Sequence, residues 1–306
     1  VSGSGFPDFC DLAVIGAGPA GMAAAAVAAS CGLQTVLLDE QASPGGQIYR
    51  SVTRPSGTPE DVLGAEYLRG RQLAEDLYAS GAEYRPNTVV WGLDAQLRVW
   101  TSSKGRAGVL QARRVIIATG AQERPMPIPG WTLPGVMSVG AAQILLKSSA
   151  LIADTPAVLA GTGPLLWLLA AQYLRAGAPA PTILDVGAKG AFARALTRHP
   201  DFLASSYLGK GLSLMAEVRR RCRVVSGITA LEAEGGDRLR SVRWQTGSGA
   251  WQSILTTTLL LHQGIVPSVS LARAAGCAFR WDAAQHCWHP VLDDRGETSL
   301  PGIAIA

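Results

Sequence analysis

The chain has 306 residues, 48% of them hydrophobic, long enough to bury a large core and to favour two domains over one. The net charge of +4 is mild, and its 23 arginines are scattered without a run of five or more, which sets aside a nucleic-acid partner. Two uncharged runs, residues 12–38 and 155–174, match a membrane span in length, but Gly-x-Gly divides each into a strand and a helix, so no transmembrane segment is expected.

Residues 1–9 are small and polar without periodicity, lack an initial methionine and fit a piece of a longer chain; no signal peptide is expected ahead of the first strand. Residues 12–15 form a short apolar run that suits a buried parallel strand. Gly16, Gly18 and Gly21 follow in Gly-x-Gly-x-x-Gly spacing, with Pro19 in the first helical turn and Ala20 beside it. The first glycine permits the tight turn, the second lets the backbone approach a pyrophosphate, and the third lets the helix lie close on the strand. Free N–H groups at the helix start then face the phosphates. A second apolar strand, residues 35–38, ends at Asp39, where a carboxylate can accept from a ribose hydroxyl; Glu40 is the neighbouring candidate.

Pro44-Gly45-Gly46-Gln47 reads either as an ordinary turn or as a loop that brings backbone N–H groups against a flat or anionic ligand. Thr58 and Pro59 open an amphipathic helix that runs to a stop at Gly81. Short β-rich pieces at 88–93, 97–101 and 108–112 read as a small inserted meander. Residues 114–120 form another buried strand, ending in Ala118, Thr119 and Gly120, which returns the chain to the nucleotide sheet. The four prolines from Pro125 to Pro134 exclude helix and central strand, and read as an exit linker at a domain boundary.

A helix at 141–147 and a strand at 157–160 precede a second glycine turn at Gly161 and Gly163. An apolar helix and a strand at 182–184 then lead to Asp185, 24 residues after Gly161, against 23 from Gly16 to Asp39. The nucleotide unit is duplicated. Leu166 stands where the third glycine would be, which should hold this helix further from its strand, so whether the second copy binds a nucleotide stays open. If it does, Asp185 repels a 2′-phosphate and favours NAD or another adenine nucleotide with a free 2′-hydroxyl.

Residues 191–198 and 212–221 read as helices, Arg219, Arg220, Arg221 and Arg223 as a solvated face, and residues 224–261 as β-rich. Residues 259–264 read as a closing strand and its turn back to the first domain. His286, Cys287 and His289 lie on a short turn with no second cluster, which argues against a metal site. Trp281 and Trp288 are expected to pack at the domain junction. The five cysteines are odd in number, widely spaced and without a Cys-x-x-Cys, which points to a reducing compartment such as the cytoplasm and removes the dithiol of a disulfide reductase.

The segments GAGPAG, LLDEQ, PGGQIYR, IIATGAQERP, PGWTLPGVMS, GTGPLL and LLLHQGIVPS together resemble the FAD/NAD(P)-binding flavoprotein subunits of heteromeric, dye-linked amine or imino-acid dehydrogenases, such as hydrogen cyanide synthase, opine oxidase and proline or hydroxyproline dehydrogenases. The resemblance implies an α/β fold of two Rossmann-like dinucleotide-binding domains, glutathione- and thioredoxin-reductase-like, with the second (141–264) inserted in the first (1–140 and 265–306). It implies FAD on the first domain. Gly16, Gly18 and Gly21 would hold the pyrophosphate, Asp39 the adenosine ribose, and Gly45, Gly46 and Gln47 the flavin end. Ala118, Thr119 and Gly120 would pass near the cofactor, and Gly161, Gly163 and Asp185 would form the second site.

By the same resemblance the partner is a catalytic flavoprotein subunit of the amine or imino-acid oxidase type, and any membrane association at the inner face runs through partners. The electron acceptor is unknown, and no catalytic acid, base, nucleophile or metal ligand is assigned. A self-sufficient NAD(P)H-dependent flavin reductase and a non-catalytic nucleotide-binding scaffold are the alternatives. Family members continue past the strand at 300–306 with a Gly-Asp that meets the flavin ribityl region, some of them with a cysteine-rich iron–sulfur segment beyond; this sequence stops at Ala306.

Overall fold

A computed structural model describes residues 9–54, 57–154, 156–188, 190 and 205–306; the helix expected at 191–198 lies outside them. The chain divides into two units, one drawn from residues 1–55, 64–122 and 266–306, the other from 56–63 and 123–265.

The first unit is built on a seven-stranded sheet. Its order runs Glu83–Arg85, Thr35–Leu38, Phe9–Ile15, Arg106–Ile117, Arg98–Ser103, Thr88–Leu93, with Ile303–Ile305 also paired to Arg106–Ile117. The first four strands and Ile303–Ile305 are parallel, while Thr88–Ser103 returns antiparallel. Successive side chains of Phe9–Ile15 point to opposite faces: Ala13 and Ile15 join Val36, Val115 and Ile117 in one core, and Leu12 and Val14 join Met22, Ala25 and Leu37 in the other. Each fully buried valine, leucine, isoleucine or methionine among these contributes about 1.5–3 kcal/mol. The helix Pro19–Ser30 lies close on this sheet because its buried positions are Gly21, Met22 and Ala25.

Two expectations for this region change. The pieces at 108–112 and 114–120 are one strand, Arg106–Ile117, so the meander continues the nucleotide sheet instead of standing apart. The amphipathic helix is two, Glu60–Leu63 and Ala65–Ala79, parted at Gly64, whose φ of 87° is a conformation that helix excludes. Trp281 and Trp288 stack edge to face across the antiparallel hairpin Phe279–Asp282 and Cys287–Pro290, and both stay 40% or more exposed. They are an exposed surface pair, held by a cross-strand contact.

The second unit carries a parallel five-stranded sheet ordered Val224–Ser226, Thr182–Asp185, Val158–Thr162, Leu259–Gln263, Val136–Ser138, and an antiparallel sheet of Ile228–Gly235, Leu239–Thr246 and Gln252–Leu255. Leu231, Val242 and Trp244 pack with Val158, Leu184, Leu259 and Leu261 in its core. The strand Leu259–Gln263 therefore lies inside this sheet, between Val158–Thr162 and Val136–Ser138. The proline run also belongs here. Met126 and Ile128 pack in the same core, and the carbonyls of Pro129 and Pro134 accept from the N–H groups of Ala233 and Leu239. Prolines cannot donate, but their carbonyls still accept, so this arm is pinned and the boundary falls at Glu123 instead of residue 140.

Candidate functional site

Four separate segments of the first unit converge on one turn. The strand Phe9–Ile15 ends at Gly16, whose φ of 103° no other residue adopts comfortably, and whose N–H donates to the Leu38 carbonyl at 2.8 Å. A Cβ on Gly16 would stand 2.5 Å from the Ala118 carbonyl oxygen, and one on Gly21 would stand 1.8 Å from the Gly16 carbonyl oxygen. Strand, helix and return strand thus meet at contacts that only glycine allows.

Gly18 differs. It caps the helix Pro19–Ser30 with no side-chain hydrogen bond at the cap, and a Cβ there would meet nothing nearer than the Gly46 Cα at 4.0 Å. Uncapped N–H groups above an open backbone suit an anion such as a pyrophosphate. The Pro44–Gln47 loop closes on this turn: the Gly45 N–H donates to the Ala17 carbonyl at 2.8 Å, and a Cβ on Gly46 would stand 2.8 Å from the Gly18 Cα.

Asp39 ties the turn to the second strand. Its Oδ2 accepts from the Ala17 N–H at 2.5 Å and its Oδ1 from the Gln41 N–H at 2.6 Å. Burial pushes its carboxyl up, against the lowering effect of those two hydrogen bonds. Glu40 points away, exposed, and accepts from its neighbour Gln41. Gln47 is also exposed, with its Oε1 accepting from Arg50. Ala118 is buried under the turn, whereas Thr119 and Gly120 lie just beyond it and bond to Ser268: the Thr119 hydroxyl donates to the Ser268 carbonyl, and the Ser268 N–H donates to the Gly120 carbonyl.

In the second unit, Gly163 caps the helix Pro164–Arg175, again without a side-chain hydrogen bond. Leu166 is fully buried, so the third-glycine position here is filled by core packing. Asp185 ends its strand as Asp39 does, but its Oδ1 accepts from the Gly187 N–H at 2.9 Å. Beside this turn lies a pair that the sequence pattern did not single out, buried His262 with partly buried Glu123, whose Nδ1 and Oε1 are 2.7 Å apart. The signal was there: LLLHQG stands to GTGPLL as IIATG stands to GAGPAG.

Among the described residues no group of three or more His, Cys, Asp or Glu side chains could hold a metal. His289 instead lies 3.3 Å from the Cys287 sulfur across one residue. No described helix is long and apolar enough to cross a membrane.

Two dinucleotide-type units, one with a complete glycine turn and a pinned carboxylate, define the class of two-domain FAD-dependent oxidoreductases. A family model for pyridine nucleotide-disulphide oxidoreductases matches residues 10–306, and the chain belongs to that family. It is 46% identical to an opine oxidase subunit of Agrobacterium tumefaciens (strain Ach5), over 98% of this chain and 61% of that protein. It is 31% identical to hydrogen cyanide synthase subunit HcnB of Pseudomonas protegens, over 86% of this chain and 58% of the relative. The chain thus spans about three fifths of the length of these relatives.

In fold it is similar to L-proline dehydrogenase from P. horikoshii, with a TM-score of 0.68 at 18% identity over 97% of this chain and 50% of the other. It is likewise similar to T. acidophilum thioredoxin reductase, with a TM-score of 0.67 at 17% identity over 98% and 90%. FAD is the cofactor of this class, and the first unit fits it: the open face of Gly18, the uncapped helix N-terminus and the buried carboxylate of Asp39 lie together at one turn.

Proposed function

We propose that the chain is the flavin-carrying part of a heteromeric dehydrogenase or oxidase, which passes electrons taken from an amine or imino acid (an opine, a proline derivative or glycine) oxidised on a catalytic partner subunit. The observation that carries this reading is the closure of the Gly45-Gly46 loop on the Gly18 turn, with Asp39 pinning both to the second strand. The named activities of the enzymes whose subunits it resembles, opine oxidase and hydrogen cyanide synthase, support the substrate class.

In this reading Gly16, Gly18 and Gly21 hold the pyrophosphate, Asp39 meets the adenosine ribose, and Gly45, Gly46 and Gln47 border the flavin end. Ala118, Thr119 and Gly120 lie along the cofactor's path out of the unit. FAD, when bound, supplies the electron-accepting chemistry, and these residues bind and orient it. No Cys-x-x-Cys is present, and all five cysteines are free thiols, which favours a role other than disulfide reduction.

The test is to co-express the full-length protein with its partner and record the visible spectrum under anaerobic conditions. Bleaching by an imino acid, only with the partner present, is the expected outcome. Rapid bleaching by NADH without any partner would replace this reading with a self-sufficient flavin reductase.

A further inference from the structure

Buried polar atoms in a folded protein almost always have a hydrogen-bond partner, so those without one point to something the chain alone does not supply. Two such atoms gather around Asp39. The Nε of Arg50 and the Oη of Tyr84 are buried and have no partner among the described residues. Burial is the main influence on the Asp39 carboxyl and raises it, while the Arg50 charge lowers it. Burial likewise raises the Tyr84 phenol, and the Asp39 charge adds to the effect. Both side chains thus lie within electrostatic reach of that carboxylate.

Arg50 is held in place by the turn it ends. The Tyr49 N–H donates to the Gly45 carbonyl at 3.0 Å, and the Val52 N–H to the Tyr49 carbonyl at 3.0 Å. The Tyr67 hydroxyl donates to the Arg50 carbonyl at 2.5 Å. The Tyr49 ring lies so close on the helix Ala65–Ala79 that a Cβ on Gly70 would stand 2.4 Å from it. Ser51, next in the chain, is kept at a φ of 63°, a conformation that persists in a residue other than glycine where its surroundings over-determine it, as they do at ligand clamps. Gly46, in the same turn, closes on Gly18.

The glycine turn itself is short of positive charge. A dinucleotide pyrophosphate is doubly negative, Asp39 adds a carboxylate, and the helix Pro19–Ser30 contains no basic residue. Backbone N–H groups supply only partial charges. Arg54 is exposed, and its Nη2 donates to the Ala42 carbonyl at 3.0 Å. Arg50 is half-buried, and its Nη2 donates to the Gln47 Oε1 at 3.2 Å, which leaves Nε as a charged donor without an acceptor.

We propose that Arg50 is a binding residue for the FAD pyrophosphate, its Nε donating to a phosphate oxygen over the Gly18 turn while its Nη2 keeps hold of Gln47. One guanidinium then ties the phosphates to the residue that borders the flavin end. Arginine suits this double task because its donors form a fixed planar fork, whereas lysine offers a single point charge. The inference rests on the reading of the first unit as the flavin site.

The test uses the full-length protein purified with its flavin. Fluorescence of flavin released on dilution reads FAD affinity, phosphorus NMR reads the bound pyrophosphate, and the visible spectrum reads the flavin's surroundings. Arg50→Gln is expected to weaken FAD binding by about tenfold or more, as for a lost hydrogen bond to a charged group. It should also move a pyrophosphate resonance and shift the flavin absorption bands, since Gln47 is released. Arg50→Lys should fall between the two, with the charge kept and the fork lost. A further measurement needs no variant: a dicarbonyl reagent for arginine, mapped by mass spectrometry, should modify Arg50 in the wild type only after the flavin is removed.

Unchanged FAD affinity or unmoved pyrophosphate resonances in Arg50→Gln would overturn the proposal while leaving the flavin reading intact. Equal modification of Arg50 with and without flavin would do the same. A wild-type protein that holds no FAD would overturn the flavin reading itself and this inference with it.

Discussion

Gly46 stands against Gly18 across 28 residues of chain, so near that a Cβ on Gly46 would lie 2.8 Å from the Gly18 Cα. The relationship is one-sided, because a Cβ on Gly18 would meet only the Gly46 Cα, at 4.0 Å. Gly18 also has an ordinary φ of −73°. Its glycine identity is thus not required by local packing or backbone conformation, which fits the place proposed for a pyrophosphate above it.

Gly18→Ala is therefore expected to change the stability of the flavin-free protein by less than about 1 kcal/mol, the range for a helix-cap change. Its flavin content should still fall at least tenfold. Gly46→Ala should cost both, since φ is 59° there and the new methyl collides with backbone. The ratio of flavin absorbance to protein absorbance, read beside the thermal midpoint of the stripped protein, distinguishes the two variants.

Asp39→Ala should destabilise the first unit by about 1–3 kcal/mol, because the Ala17 and Gln41 N–H groups lose a buried acceptor. The pH dependence has a definite sign. Burial raises the Asp39 carboxyl in the folded protein, so the folded state holds this proton more tightly than the unfolded chain. Its contribution is fully present below the ordinary aspartate range and is lost as pH rises through the raised value. Denaturant titrations from pH 3 to 7 should show this component in the wild type and not in the variant.

Glu123 has the opposite sign. Its carboxyl is lowered, so its contribution is present above the ordinary glutamate range and is lost as pH falls through the lower folded value. Glu123→Gln should flatten the acid limb of stability in the second unit while leaving the limb set by Asp39. Circular dichroism melts between pH 3 and 6 would show the loss.

The cysteines make a simple chemical prediction. Cys31 is exposed and the other four are buried, and burial pushes the Cys10 thiol up to about 11. A thiol-reactive dye should therefore label one cysteine rapidly in the folded protein and all five after denaturation. Fast labelling of two or more in the folded state would mean that Cys10, Cys222, Cys277 or Cys287 opens readily.

How much was legible follows from the range of each interaction. Gly16, Gly18, Gly21 and Asp39 were readable because strand, turn, helix and acid lie within one local unit, where spacing fixes geometry. The loop at Gly45 and Gly46 was ambiguous on its own. Its meaning comes from the closure on Gly18 and Ala17, which no local pattern encodes. The proline run misled for a related reason: absent N–H groups were read as absent structure, while the carbonyls of Pro129 and Pro134 were free to pin the arm to the second core. His262 was visible as a letter, but its partner Glu123 lies 139 residues away.

Leu166 gives the last prediction. Read as an eroded glycine, it suggests that Leu166→Gly would restore a lost nucleotide site. The structure argues otherwise, because Leu166 is fully buried within a helix whose side chains from Leu169 to Leu174 are buried as well. Removing it would open a cavity, costing about 2–5 kcal/mol as for other buried leucines cut to alanine, and more with the added flexibility of glycine in a helix. The second unit should therefore melt earlier in Leu166→Gly without any gain in ADP-ribose affinity. A gain in affinity at unchanged stability would mean that the leucine only obstructs the site, and that the helix can settle closer to its strand without it.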